Sequence, residues 1–120
     1  MTNASEIGKS GEDQAEEFLK NIGYKILERN FRTRYGEIDI IAKENGTYVF
    51  VEVKTRKLKD GFGEPQFAVN KHKQHHLALA AFTYIKKESL HSDYRFDIVA
   101  ICRGKIEHIE NAFSPEGYTV

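Results

Sequence analysis

The chain has 120 residues, 40% of them hydrophobic, which is enough for one compact domain with a single core over residues 1–120. Its 18 Lys and Arg balance 18 Asp and Glu, which excludes the strongly basic composition of many nucleic-acid-binding domains. One cysteine excludes an internal disulfide framework and a Cys-based zinc site, and it favours a reducing compartment. The sequence shows no apolar stretch of the roughly 20 residues that a membrane span needs and no signal-peptide pattern, so we expect a cytoplasmic protein.

The first predicted element is a helix over residues 10–22. Ser10 and Asp13 have the spacing of a capping box, and apolar residues recur behind them at helical spacing. Glu12 lies at the edge of the apolar stripe. Its carboxylate has two interpretations: it points into a functional site, or it only meets the positive end of the helix dipole.

A strand over residues 24–31 follows, and the connection behind it contains Arg32 and Arg34. Residues 36–57 then alternate in polarity on both sides of the dipeptide Asn45-Gly46. That dipeptide between two alternating runs is the strongest short-range signal of a β-hairpin. The sequence therefore predicts two antiparallel strands joined by a tight turn.

The predicted hairpin brings four charged residues together. With a two-residue loop, the numbers of cross-strand partners sum to 91, so Asp39 lies opposite Glu52 and Glu37 lies opposite Lys54. Because strand side chains alternate with period two, both charged pairs are expected on one face of the sheet. The other face of the first hairpin strand is expected to carry Ile38, Ile40 and Ala42.

Two carboxylates in direct opposition repel each other. Their Cβ atoms would be about 5 Å apart, and at about 4 Å the repulsion is on the order of 4 kcal/mol for an effective dielectric constant of about 20. A divalent cation held by Asp39 and Glu52 would compensate for it, and so would a proton shared between them. The remaining interpretation is an ordinary ladder of cross-strand ion pairs that also uses Lys54 and Glu37.

Basic residues dominate the next segment. Residues 55–69 contain Gly and Pro that predict a loop, and the loop begins with Arg56. A helix is predicted over residues 71–88, and its start is a suitable place for an anion. The helix start carries five basic or titratable side chains, Lys71, His72, Lys73, His75 and His76. The last two are adjacent in sequence and do not share a helix face, which disfavours a metal site made of histidines.

Two further strands complete the prediction, one over residues 94–102 and an edge strand over residues 105–111. Asp97 is a charge within an apolar strand, and Arg95 is a candidate partner for it. The order of elements is α-β-β-β-α-β-β. This order predicts an α/β fold in which helices flank a central mixed five-stranded sheet.

Several segments together resemble a known family. Asp39, followed by Glu52-Val53-Lys54, resembles the D…(D/E)-x-K core of the PD-(D/E)xK nuclease superfamily, which has the restriction-endonuclease-like fold. The segments GEDQAEEFL, RNFRTRYGEIDIIA, VFVEVKTR and YRFDIVAI are similar, in the same order, to the YraN-like family of small bacterial proteins. The layout is also similar to that of the archaeal Holliday junction resolvases.

The resemblance implies a metal-dependent nuclease. Asp39 and Glu52 would bind Mg²⁺ or Mn²⁺, and Glu12 would contribute from the first helix. Lys54 would orient or activate the attacking water. Glu37 would orient that lysine.

The resemblance also implies a substrate-binding surface. Gln74 would contact the nucleophile or the substrate. The phosphate backbone of DNA would be held by five cations, Arg32, Arg34, Arg56, Lys71 and Lys73. None of these residues has an evident way to read base edges, so recognition of a branched or single-stranded form is expected rather than recognition of a sequence. Resolvase-like chemistry would in addition need two active sites, and hence a homodimer.

Two other functions fit the same residues. A nucleic-acid-binding module could keep the fold without catalysis, which would suit the zero net charge. A protein-interaction domain could instead use the edge strand, because sheet edges invite pairing with another chain.

Overall fold

The computed structural model describes residues 10–56, 69–103 and 105–114. Its elements follow the predicted order and include both predicted helices. The elements are α1 (Gly11–Asn21), β1 (Lys25–Thr33), β2 (Gly36–Glu44), β3 (Thr47–Arg56), α2 (Lys71–Glu88), β4 (Tyr94–Cys102) and β5 (Lys105–Phe113). The observed ends of β1, β3 and β5 lie within two residues of the predicted ends. Most of the predicted loop over residues 55–69 lies outside the described residues.

The five strands form one mixed sheet in the order β1-β2-β3-β4-β5. Neighbouring strands are antiparallel except for β3 and β4, which are parallel over their whole length. A parallel pair needs a crossover connection, and the chain segment that contains α2 provides it. The prediction of a mixed sheet flanked by helices, with β5 at an edge, is confirmed.

The local sequence explains where both helices begin. The Ser10 side chain caps α1 by accepting a hydrogen bond from the backbone N of Asp13 at 3.1 Å, as its spacing predicts. Asn70 does the same for α2, where its Oδ1 accepts from the Lys73 N at 2.8 Å. These caps satisfy backbone donors that a helix start leaves without an intrahelical partner.

Each helix covers its own core on one side of the sheet. Ala15 and Leu19 of α1 pack with one set of strand residues, whereas Leu77 and Tyr84 of α2 pack with another. Both faces of β3 are therefore buried, which is why its apolar residues occupy successive positions.

The alternation of β2 breaks at one point, and the predicted faces are wrong there. Ile38 packs in the core under α2, but Ile40 and Ala42 pack in the core under α1. On the neighbouring strand, Asn30 lies between the pairs Arg29–Ile40 and Phe31–Ile38 and has a φ of 53°. Asn tolerates this left-handed conformation better than most residues. A left-handed residue interrupts the regular alternation of a strand, so the break in β1 lies beside the switch in β2.

A candidate active site at the splayed end of the hairpin

The hairpin opens at the end away from its turn. Its ladder has the predicted register from Glu44–Thr47 as far as Ile40–Val51, and it stops there. The predicted opposition of Asp39 to Glu52 and of Glu37 to Lys54 is therefore absent from the ladder, and this is a correction. Its reason is a side-chain hydrogen bond: Asp39 Oδ2 accepts from the backbone N of Val53 at 2.8 Å, so a carboxylate takes the place of a partner strand.

Three carboxylates meet at this open end. Glu12, Glu37 and Asp39 each offer one oxygen, and these three oxygens lie within 4.8 Å of one another. Glu12 reaches the cluster because Gly11 lets the first turn of α1 lie against β3, where a Cβ would overlap the Thr55 Oγ1. The structure thus brings Glu12 and Asp39 together as predicted, with Glu37 as the third acid in the place that the sequence analysis assigned to Glu52.

The cluster changes the acidity of Asp39. Burial raises the pKa of its carboxyl to about 7, against an ordinary value of 3.8. The hydrogen bond from Val53 opposes this rise, while the negative charges of Glu52, Glu12 and Glu37 add to it. Since like charges disfavour ionisation, the cluster favours either a proton or a cation in its midst.

Glu52 is held by a lysine from the other side of the site. Its Oε2 lies 3.1 Å from the Lys73 Nζ in the first turn of α2, and the residue is only 6% exposed. Its second oxygen, Oε1, is buried and has no hydrogen-bond partner within the described part of the chain. The charge of Glu52 contributes to the raised pKa of Asp39, and its Oε1 is a buried acceptor without a hydrogen-bond partner among the described residues.

We expect Lys73→Gln to destabilise the protein, because it removes the counter-charge of a buried carboxylate. The expected loss is about 1–2 kcal/mol in the free energy of unfolding, at the low end for charged hydrogen bonds because the lysine is half exposed. Urea denaturation without divalent cations would measure it. Lys71→Gln is the matched control, since this exposed lysine shares the same helical turn and should change stability by less than about 0.5 kcal/mol. Equal effects of the two variants would contradict the assignment.

The other two acids of the cluster also have basic partners. Arg32 Nε lies 2.5 Å from Glu37 Oε2, and this hydrogen bond raises the pKa of the guanidinium. Arg29 Nη2 lies 3.5 Å from Glu12 Oε1 and closer to Asp13, at 3.1 Å from its Oδ1. Arg29 was not among the predicted site residues. Its place in the alternation of β1, on the side of the acidic first helix, was the available signal.

Four of the remaining predicted residues differ in their surroundings. Gln74 Nε2 donates to the Val69 carbonyl at 2.8 Å, so its side chain fastens the segment before α2. Arg34 stacks over the ring of Tyr35, 5.0 Å from its centroid. Lys54 is half-buried in β3, two residues after Glu52, and the side chain of Arg56 lies outside the described residues.

A cavity of about 300 Å³ opens beside the carboxylates. Glu37 and Asp39 form part of one wall, and α2 contributes two histidines, His72 and His76, together with Lys73. The rings of the two histidines are 4.5 Å apart between centroids. The pairing of His72 with His76 was not predicted. Their spacing of four residues, which places two side chains on one helix face, was the available signal in the sequence.

Within the described ranges, no helix is long and apolar enough to cross a membrane. A solved protein titled "Crystal structure of SSO0001" aligns with 92% of this chain at 17% identity and a TM-score of 0.41, and the chain spans about half (53%) of that protein.

Relatives of similar length exist in several bacteria. A UPF0102 protein of Thermodesulfovibrio yellowstonii is 53% identical over 108 residues, which cover 90% of this chain and 96% of the relative. A UPF0102 protein of Persephonella marina is 49% identical over 107 residues, covering 88% of this chain and 91% of the relative. The model of the uncharacterised protein family UPF0102 matches residues 11–101. The matched range contains the three clustered acids as well as Glu52 and Lys73, and the chain belongs to the uncharacterised protein family UPF0102.

Proposed function

We propose that this protein is a metal-dependent nuclease that hydrolyses DNA phosphodiester bonds at the splayed end of the hairpin. The observation that carries the proposal is the gathering of Glu12, Glu37 and Asp39, with one oxygen of each within 4.8 Å of the others. Perturbed pKa values cluster at functional sites, and the Asp39 carboxyl of this cluster has a raised pKa.

The donor set fits a hard divalent cation. Carboxylate oxygens are the preferred protein ligands of Mg²⁺, and Mn²⁺ favours the same donors. Glu12, Glu37 and Asp39 would hold the ion, and Glu52 is the nearby acid with an oxygen to spare. When bound, such an ion polarises a phosphate and lowers the pKa of the water it binds.

The side chains around the cluster are suited to the rest of the task. Lys54 would orient the attacking water and stabilise negative charge on the phosphate oxygens. Lys71 and Lys73, at the start of α2, would hold the phosphate backbone together with Arg32 and Arg34. These cations make binding dependent on salt concentration. The fold supports the proposal because its mixed five-stranded sheet flanked by helices suits the restriction-endonuclease-like fold that the resemblance implies. An acid from the first helix also lies beside the strand acids.

A nucleic-acid-binding module without catalysis is the second candidate. Its support is that three acids of the site already have basic partners: Arg32 pairs with Glu37, Lys73 with Glu52, and Arg29 with Glu12. A site of this kind would bind DNA through its cations and would not need a metal. Its binding would survive Asp39→Ala.

A cleavage assay separates the two candidates. Labelled single-stranded, duplex and branched DNA would be incubated with the purified protein in Mg²⁺, in Mn²⁺ and in EDTA. We expect cleavage only with a divalent cation, and we expect Asp39→Ala and Lys54→Ala each to abolish it. Salt-dependent binding without cleavage in either metal, unchanged by Asp39→Ala, would overturn the nuclease in favour of the binding module. We propose a cytoplasmic protein. Resolvase-like cleavage of branched DNA would need two active sites, and hence a homodimer.

A further inference from the structure

The cavity beside the carboxylates has two chemically different walls. One wall belongs to β2 and includes the acids Glu37 and Asp39. The other wall belongs to the first two turns of α2 and is formed by two imidazoles, an ammonium group and the apolar side chain of Leu77. A molecule in this cavity would therefore contact the carboxylates of the proposed reaction centre on one side and the imidazole rings and the lysine of α2 on the other.

Flat rings line the mouth of the cavity. Tyr35 lies at the turn before β2, and its backbone carbonyl is hydrogen-bonded to His76 Nδ1. His72 lies against His76, with their planes inclined at 59°, and the guanidinium of Arg34 lies over one face of the Tyr35 ring, 5.0 Å from its centroid. Aromatic faces and guanidinium groups are the surfaces on which unstacked nucleic-acid bases bind.

Lys73 gives the lining a positive charge that can meet a phosphate next to such a base, while its Nζ also lies 3.1 Å from Glu52 Oε2. Lys73 lines the cavity at the start of an 18-residue helix, and the backbone of a helix start favours an anion. One flat aromatic group together with one phosphate describes a nucleotide. The lining thus matches a nucleotide better than it matches an apolar ligand or a peptide.

The size of the cavity decides how much nucleic acid it takes. A volume of about 300 Å³ is at the lower end of the range for pockets that enclose small molecules, so it suits one nucleotide and not a length of duplex. A paired base would have to leave its stack to enter, which costs a few kcal/mol and costs least for a base that is already unpaired.

We propose that this cavity binds one unpaired nucleotide beside the scissile phosphate, so that the substrate is single-stranded DNA or an unpaired stretch within a duplex. Tyr35 and His72 hold the base, and Lys73 holds its phosphate. This inference rests on the proposed nuclease function and specifies its substrate class. It also explains why a chain with zero net charge can act on DNA, since stacking replaces part of the electrostatic attraction.

Binding assays test the inference separately from cleavage. Fluorescence anisotropy in Ca²⁺ would compare a single-stranded oligonucleotide, the blunt duplex of the same sequence, and that duplex with a central unpaired bubble. We expect the single strand and the bubble to bind at least about tenfold more tightly than the duplex, as the loss of one stacked base would predict. Tyr35→Ala should remove most of this preference, and Tyr35→Phe should keep it because the ring remains.

A matched pair of histidines provides the control. His72→Ala should weaken binding of the single strand by about threefold to tenfold, a smaller effect than loss of the tyrosine ring, whereas His91→Ala, at an exposed position after α2, should leave it unchanged. Equal affinity for all three DNAs, with no effect of Tyr35→Ala, would overturn the inference. If the wild type nevertheless cleaved DNA with Mn²⁺ and Asp39→Asn did not, the proposed nuclease function would stand and only the nucleotide-binding inference would be overturned. A protein that neither binds nor cuts any of the DNAs would overturn both.

Discussion

Asp39→Asn is expected to abolish both the binding of a divalent cation and the cleavage of DNA. The amide keeps an oxygen that can accept the hydrogen bond from Val53, so the splayed end of the hairpin should keep its shape. It lacks the negative charge that a cation needs. Loss of an outer-shell partner of a metal ligand already costs about 10–100-fold in affinity or activity, so loss of a ligand itself should cost at least about 100-fold. Calorimetric titration with Mn²⁺ and the cleavage assay would measure the two effects.

The same variant gives a second result through stability. The folded pKa of Asp39, about 7, lies above its ordinary value of 3.8, so the folded protein holds this proton when the unfolded chain has lost it. The contribution of Asp39 to stability therefore falls as pH rises through that window, by about 1.4 kcal/mol for each unit of pKa difference at most. Without divalent cations, Asp39→Asn should thus be more stable than the wild type at pH 8 and not at pH 4. If the free energy of unfolding changed with pH in the same way for the wild type and for Asp39→Asn, the buried and acidic environment assigned to Asp39 would be contradicted.

Asp97→Ala is expected to cause the largest loss of stability. Asp97 is fully buried and accepts hydrogen bonds from Arg95 Nε at 3.0 Å, from His108 Nε2 at 2.7 Å and from the backbone N of Asn111 at 2.9 Å. Truncation would remove the acceptor that the side chains of Arg95 and His108 share. These side chains are only 18% and 9% exposed, so water would replace that acceptor poorly. Removing one partner of a buried ion pair costs about 3–5 kcal/mol, a large fraction of the 5–15 kcal/mol by which domains are usually stable.

Urea denaturation at neutral pH would measure this loss, with Asp93→Ala as the control at an exposed position. Burial alone would raise the pKa of Asp97, but the hydrogen bonds from His108 and Arg95 outweigh it and hold the pKa below 3.8. The stabilisation is thus present above pH 3.8 and is lost as pH falls through the lower folded pKa. The gap between the wild type and Asp97→Ala should narrow accordingly in strong acid. A loss below about 1 kcal/mol at neutral pH would contradict the role assigned to Asp97.

The sequence was sufficient to predict the fold because each signal was local. Asn45-Gly46 specifies its own turn and hence the register of the five pairs that follow, and Ser10 and Asn70 mark the starts of the two helices. The predicted register failed only beyond Ile40, where a side chain competes with the ladder. No period-two pattern can indicate that a carboxylate will bond to Val53 in place of a strand.

The sequence predicted most of the acidic residues of the candidate site, but it did not predict which of them contact one another or which cations they bind. Asp39 and Glu12 were identified, but the exchange of Glu37 for Glu52 in the cluster accompanies the switch of faces between Ile38 and Ile40, which a regular alternation of side chains does not predict. Arg29 and His72 were missed for a related reason. Their importance comes from what faces them across the sheet and the cavity, and a residue's own neighbours in sequence do not report that.

Crystals of the wild-type protein soaked in Mn²⁺ would test the central claim most directly, because anomalous scattering locates the ion without reference to any reaction. We predict a Mn²⁺ peak bound by the carboxylates of Glu12, Glu37 and Asp39, and no such peak in crystals of Asp39→Asn. The contradictory result is a wild-type map at millimolar Mn²⁺ without a peak at these carboxylates, in which the Arg32–Glu37 and Lys73–Glu52 ion pairs remain closed.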